Sequence, residues 1–93
     1  MPAFVYVVEC VDRSYYTGWT TNIASRLAVH NSRIGARYTR SRTPVRLVYW
    51  EEWPEKQAAQ QREAAIKKMT RSQKDLLVKS FAAERIAEIL REE

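Results

Sequence analysis

Apolar and polar positions change period four times along this chain, and the changes mark its elements. From Phe4 to Cys10 the run Phe-Val-Tyr-Val-Val-Glu-Cys is apolar on both faces, as a strand inside a sheet should be. A polar cluster at Val11-Asp12-Arg13-Ser14 predicts a turn, and Tyr15-Tyr16-Thr17-Gly18 predicts a second strand. In an antiparallel hairpin Tyr6 and Tyr16 can project from one face. They read equally as two core tyrosines on a half-buried sheet. Gly18 allows a sharp turn or a close approach.

Beyond Gly18, Trp19-Thr20-Thr21-Asn22 offers capping side chains, so a helix is expected over Ile23–His30 with Ile23 and Leu27 on its buried stripe. Arg26 and His30 are spaced i,i+4 and share another face, which Asn22 joins. Asn31 to Pro44 reads as a loop, punctuated by Gly35 and Pro44. Val45, Leu47 and Tyr49 alternate with Arg46, Val48 and Trp50, predicting a third strand that ends at Glu51-Glu52-Trp53-Pro54. A helix then runs from near Pro54 to about Met69, with Ala58, Ala59, Ala65, Ile66 and Met69 as its stripe. Thr70-Arg71-Ser72-Gln73 fits a capping box and starts another helix near Arg71, whose apolar side is Leu76, Leu77 and Phe81. From Ala83 to Glu93, Ile86, Ile89 and Leu90 continue the helical spacing. This tail could pack on the domain, join a second copy as a homodimer, or fray. The expected fold is α+β: a three-stranded antiparallel sheet, first strand central, flanked by helices. A domain over residues 1–80 would carry a C-terminal helical extension over 81–93.

Composition narrows the function. Ninety-three residues make one domain with a single small core. Cys10 is the only cysteine, so no internal disulfide forms, and on a strand it reads as a small buried apolar residue. No cluster has zinc-site spacing, and no signal peptide or membrane-spanning run is visible. A reducing cytoplasm is the expected compartment.

The net charge of +5 is unevenly placed. The first 50 residues hold seven basic residues, all arginine, against Glu9 and Asp12, while the remainder is balanced. Arg33, Arg37, Arg40, Arg42 and Arg46 follow one another with no acidic residue between them. The arginine fork matches phosphate bidentately, so the pattern points to a polyanion, most simply nucleic acid. An ordinary solvated basic surface would look the same. Tyr38 could stack on a base, close over a site, or plug the loop into the core. Arg26 and His30 could neutralise and protonate a phosphoryl group, or form a solvent-facing pair without a task. Glu63 lies at the edge of its helix's stripe. It suits a divalent-cation ligand or an ion pair with Arg62, Lys67 or Arg26.

These residues together resemble the GIY-YIG nuclease superfamily. The first half-motif stands as Phe4-Val5-Tyr6 and the second as Tyr16-Thr17-Gly18. Arg26, His30 and Glu63 fall where that family places its arginine, histidine and metal-binding glutamate. Arg62-Glu63-Ala64-Ala65-Ile66-Lys67-Lys68 and Ala36-Arg37-Tyr38-Thr39-Arg40 resemble its small stand-alone bacterial members. Phe4 replaces the first glycine of the pattern and Thr17 the isoleucine. Neither position carries a reactive group.

The resemblance implies metal-assisted hydrolysis of nucleic-acid phosphodiester bonds, with DNA the expected substrate. One Mg²⁺ or Mn²⁺ ion would sit on Glu63. Arg26 would neutralise transition-state charge. Tyr6 would take the proton of the attacking water with Tyr16 positioning water or phosphate, or the two tyrosines would exchange roles. His30 would orient the tyrosine or shuttle a proton. Arg33, Arg37, Tyr38, Arg40 and Arg42 would hold the nucleic acid. The rivals are a non-catalytic nucleic-acid-binding module with the same basic surface and an interaction protein that docks through its C-terminal helix.

Overall fold

Valines that find apolar neighbours on both faces make the first strand the centre of the sheet. In the computed structural model, which describes residues 1–81 and 83–91, β1 (Ala3–Glu9) lies between β2 (Tyr15–Thr20) and β3 (Arg46–Trp53), both antiparallel to it. Four helices complete the α+β fold: α1 (Ile23–Asn31), α2 (Lys56–Lys67), α3 (Arg71–Lys79) and α4 (Ala83–Arg91). Glu92 and Glu93, expected to extend the last helix, lie outside the described residues.

Strand β1 sends Val5 and Val7 to one face and Tyr6 and Val8 to the other. All four are buried, and each such valine contributes roughly 1.5–3 kcal/mol. Helices α1 and α4 cover the face of Tyr6 through Ile23, Leu27, Ile86 and Ile89. Helices α2 and α3 cover the other through Ala59, Ile66, Leu77 and Val78. Cys10 is buried in the first of these cores, and burial pushes its thiol pKa up. The apolar side of α4 is thus spent inside the chain, and Trp50 Nε1 adds a hydrogen bond to the Arg85 carbonyl at 3.0 Å. Among the described residues no helix is long and apolar enough to cross a membrane.

Four local readings change. Strand β3 does not stop at Trp50: Glu51 pairs with Val5 and Trp53 with Ala3, so the pair Glu51-Glu52 is strand, and α2 starts at Lys56. Glu51 can lie there because Tyr49 Oη, Trp53 Nε1 and Arg62 all donate to its carboxylate, with Arg62 Nη2 at 2.9 Å. Leu47 and Tyr49 do not share a face either. Val7 pairs with Tyr49 and Val8 with Leu47, so Val48 is the extra residue of a β-bulge, and the two side chains enter opposite cores. On α3 the packed side is the half-buried Leu77 and Val78, while Leu76 is 69 % exposed. On α2 the stripe is Ala59 and Ile66, with Met69 packed on the same core just beyond the helix and Ala65 exposed.

The capping expectations hold. Asn22 Oδ1 accepts from Ser25 N at 2.8 Å, and Thr70 with Gln73 forms the full capping box.

Candidate active site

Gly18 is where the sheet makes room for a tyrosine. It pairs with Tyr6 across β1 and β2, and the Tyr6 ring lies directly over it. A Cβ at that position would stand 2.5 Å from the Tyr6 hydroxyl. The phenol is therefore held flat across the hairpin, and its hydroxyl meets His30 Nε2 at 2.8 Å.

Helix α1 delivers the next two groups. His30 in its last turn is fully buried, so it is no solvent-facing partner of Arg26. Burial, with the Arg26 charge, pushes its pKa down to about 4, and the imidazole is neutral at pH 7. Arg26, one turn earlier, is half-buried, and its charge acts on both His30 and the Tyr6 hydroxyl. Burial raises the Tyr6 pKa to about 12, against the Arg26 hydrogen bond and charge, with Tyr16 and then Glu63 adding smaller upward pushes. Tyr16 packs edge-on against His30 with ring centroids 5.4 Å apart. Tyr6, Tyr16, Arg26 and His30 thus meet on one face of the sheet.

Glu63 comes from the layer on the opposite face. Helix α2 packs against β1 and the edge strand β2, and its flank reaches the rim of the Tyr6 face. Lys67 Nζ lies 5.6 Å from the Tyr16 ring centroid and 3.4 Å from Glu63 Oε2. Of the three partners considered for Glu63, Lys67 is the one that pairs with it, and Arg62 goes to Glu51. Among the described residues no three His, Cys, Asp or Glu side chains gather as a metal site.

The arginine loop is folded rather than loose. Asn31 ties its two ends together, accepting from Val45 N at 2.7 Å and donating to Val45 O at 3.1 Å. Gly35 rests against His30: a Cβ there would lie 2.9 Å from His30 Cα and Nδ1. Thr39 is fully buried, with Oγ1 2.8 Å from His30 Nδ1. Tyr38 stacks on Tyr16 at 6.0 Å, and Arg42 covers it at 4.0 Å. Those contacts fix the ring beside Tyr16 while leaving it exposed. Arg42 also pairs with Asp12 at 3.1 Å, and Arg40 Nε donates to the Gly35 carbonyl. Both therefore hold the loop's shape. Among the described residues the guanidinium groups of Arg33 and Arg37 make no hydrogen bond or ion pair, and both side chains are exposed. The sequence marked Gly35 only as loop punctuation and Thr39 only as part of the Ala36–Arg40 segment, and placed neither beside His30. Inside a loop no periodicity separates a buried residue from its neighbours. Lys67 was visible only as a possible partner of Glu63.

Residues 2–75 match the family described as the GIY-YIG catalytic domain. The chain is 52% identical over 77 residues to a UPF0213 protein of Clostridium perfringens, covering 83% of each chain. To a UPF0213 protein of Natronomonas pharaonis it is 51% identical over 75 residues, 81% of this chain and 88% of that one. Among solved structures, the solution structure of a UPF0213 protein from Bacillus halodurans is 41% identical with a TM-score of 0.58, covering 89% of this chain and 88% of that one.

Proposed function

The chain belongs to the GIY-YIG catalytic-domain family, and from that premise we propose that it is a metal-dependent nuclease that hydrolyses phosphodiester bonds, DNA first among its substrates. The observation that carries the reading is the meeting of Tyr6, His30 and Tyr16 on one patch, with Arg26 one turn from His30 and Glu63 paired to the Lys67 that lies beside the Tyr16 ring.

The donor set fits a divalent ion of the Mg²⁺ type. Such an ion keeps several waters and is commonly held by one or two carboxylates plus substrate phosphate, which a lone Glu63 can supply. Lys67 neutralises that carboxylate in the free protein at small cost, because exposed pairs are worth about 0–1 kcal/mol. When bound, Mg²⁺ or Mn²⁺ polarises a phosphoryl oxygen and eases departure of the leaving oxygen.

The remaining work falls to the chain's own side chains. Arg26 binds the phosphate and offsets charge on the transition-state oxygens. Tyr6 borders the attacking water. With its pKa near 12 it is ionised in about one molecule in 10⁵ at pH 7, so a standing phenolate is scarce. In a relay Tyr6 instead receives the water proton as its own passes to His30 Nε2, a weak acceptor in the free protein with its pKa near 4. Phosphate on Arg26 also weakens the positive charge that lowers the His30 pKa, so substrate makes His30 a better acceptor. Tyr16 positions water or phosphate beside it. Arg33 and Arg37 grip the backbone outside the site.

The test is an incubation with labelled single-stranded, duplex and branched DNA and with RNA, with Mg²⁺ or Mn²⁺, beside Tyr6→Phe, Arg26→Ala and Glu63→Ala. Cutting should need the metal and stop in Glu63→Ala while binding persists. Undiminished cutting in all three variants would remove the assignment. Binding without cutting on every substrate would make the protein a nucleic-acid-binding module.

A further inference from the structure

One residue of the arginine loop neither grips phosphate nor faces solvent. Thr39 is fully buried, and its hydroxyl contacts two groups: His30 Nδ1 at 2.8 Å and the Ala36 carbonyl at 3.0 Å. A hydroxyl has a single proton. With that proton on Ala36 O, which also accepts the Thr39 and Arg40 amides at 3.0 and 3.2 Å, Thr39 meets His30 as an acceptor and the imidazole proton sits on Nδ1.

Nε2 is then bare, and the buried Tyr6 Oη–H can donate to it across 2.8 Å.

We propose that Thr39 is a positioning residue that holds His30 in the Nδ1–H tautomer, leaving Nε2 open to the Tyr6 proton. The loop that carries the arginines is then part of the proton path and not only a grip. The catalytic meaning of this assignment rests on the nuclease reading, whereas the tautomer itself does not. In the reaction, the water proton goes to Tyr6 Oη as the Tyr6 proton goes to His30 Nε2. The new oxygen–phosphorus bond forms, the bond from phosphorus to the leaving sugar oxygen breaks, and that oxygen takes a proton from solvent. His30, briefly an imidazolium with Nδ1–H still on Thr39, returns its proton to solvent.

His30 is the only histidine, so ¹⁵N-histidine labelling reads its ring without overlap. At pH 7 the wild-type spectrum should show Nδ1 protonated and Nε2 bare. Thr39→Val should move the proton to Nε2, and Thr39→Ser should retain the wild-type pattern. Cutting should fall about 10- to 100-fold in Thr39→Val and recover in Thr39→Ser. A wild-type ring protonated on Nε2, or an unmoved proton in a folded Thr39→Val, would overturn the assignment. The expected tautomers in a protein that cuts nothing would uphold Thr39 and remove the nuclease reading. The reverse tautomers in an active enzyme would overturn Thr39 and keep the nuclease.

Discussion

Substituting Gly18 by alanine tests how tightly the hairpin confines the Tyr6 phenol. Gly18 has no positive φ, so alanine brings no backbone strain. It should even gain roughly 0.5–1 kcal/mol from a stiffer unfolded chain. The new Cβ, however, stands 2.5 Å from Tyr6 Oη and 2.7 Å from Cζ. Restoring ordinary contact demands a retreat of about 1 Å by a buried ring. That retreat stretches or bends the 2.8 Å hydrogen bond to His30. Losing a buried hydrogen bond costs about 1–3 kcal/mol and overpacking a similar amount. The net destabilisation should be about 2–4 kcal/mol, which at about 4–8 °C per kcal/mol lowers Tm by more than 8 °C. The assay is thermal unfolding of Gly18→Ala, Tyr6→Phe and the double variant. Removing the hydroxyl takes away the nearest clash and the bond that holds the ring in place. Gly18→Ala should therefore cost about 1–2 kcal/mol less in the Tyr6→Phe background. An equal cost in both backgrounds, or a stabilised Gly18→Ala, would refute the argument.

Other outcomes follow from the same geometry. His30, with a folded pKa near 4 against 6.5, keeps its full contribution above about pH 6.5. Stability should fall as pH drops from there toward 4, with a slope approaching 1.4 kcal/mol per pH unit, roughly, and His30→Gln should flatten the urea-unfolding profile across pH 6.5–4.5. Burial pushes the Glu51 pKa up, but the hydrogen bonds from Arg62, Tyr49 and Trp53 outweigh it and hold the carboxyl below its usual range. Its contribution should persist above that range and be lost on further acidification; Glu51→Ala, which strands Arg62, should cost about 2–4 kcal/mol by denaturant titration at pH 7. Arg33→Ala and Arg37→Ala should each reduce the salt slope of duplex-DNA binding by about one and leave Tm nearly unchanged, whereas an unchanged slope would place the grip elsewhere.

How much could be read from the chain alone depended on periodicity. Strand β1 was legible because Val5, Val7 and Val8 leave no polar face, and that implied a central place in the sheet. Tyr6, Tyr16, Arg26 and His30 were expected to meet because the chain resembles the GIY-YIG superfamily; their elements alone left two core tyrosines and a solvent-facing Arg26–His30 pair open. The course of β3 was hidden because Glu51-Glu52 carries two charges that argue for solvent, and the partners that accommodate Glu51 are Tyr49, Trp53 and, 11 residues on, Arg62. The bulge at Val48 was invisible because an alternating run gives no sign of an added residue. Leu76 was misplaced because Leu76 and Leu77 are equally apolar, and only the packing of α3 separates them. Thr39 was unreadable because the Asn31–Pro44 loop has no repeat against which burial could be judged.

The bulge also bears on what the protein can join. Strand β3 forms one outer margin of the sheet, where a neighbouring chain's main chain would find unmatched amide and carbonyl groups. A straight strand laid along that margin loses step at Val48, with groups on only one side of the irregularity properly spaced. The irregularity thereby discourages the sheet from extending through β3 into a ribbon of copies.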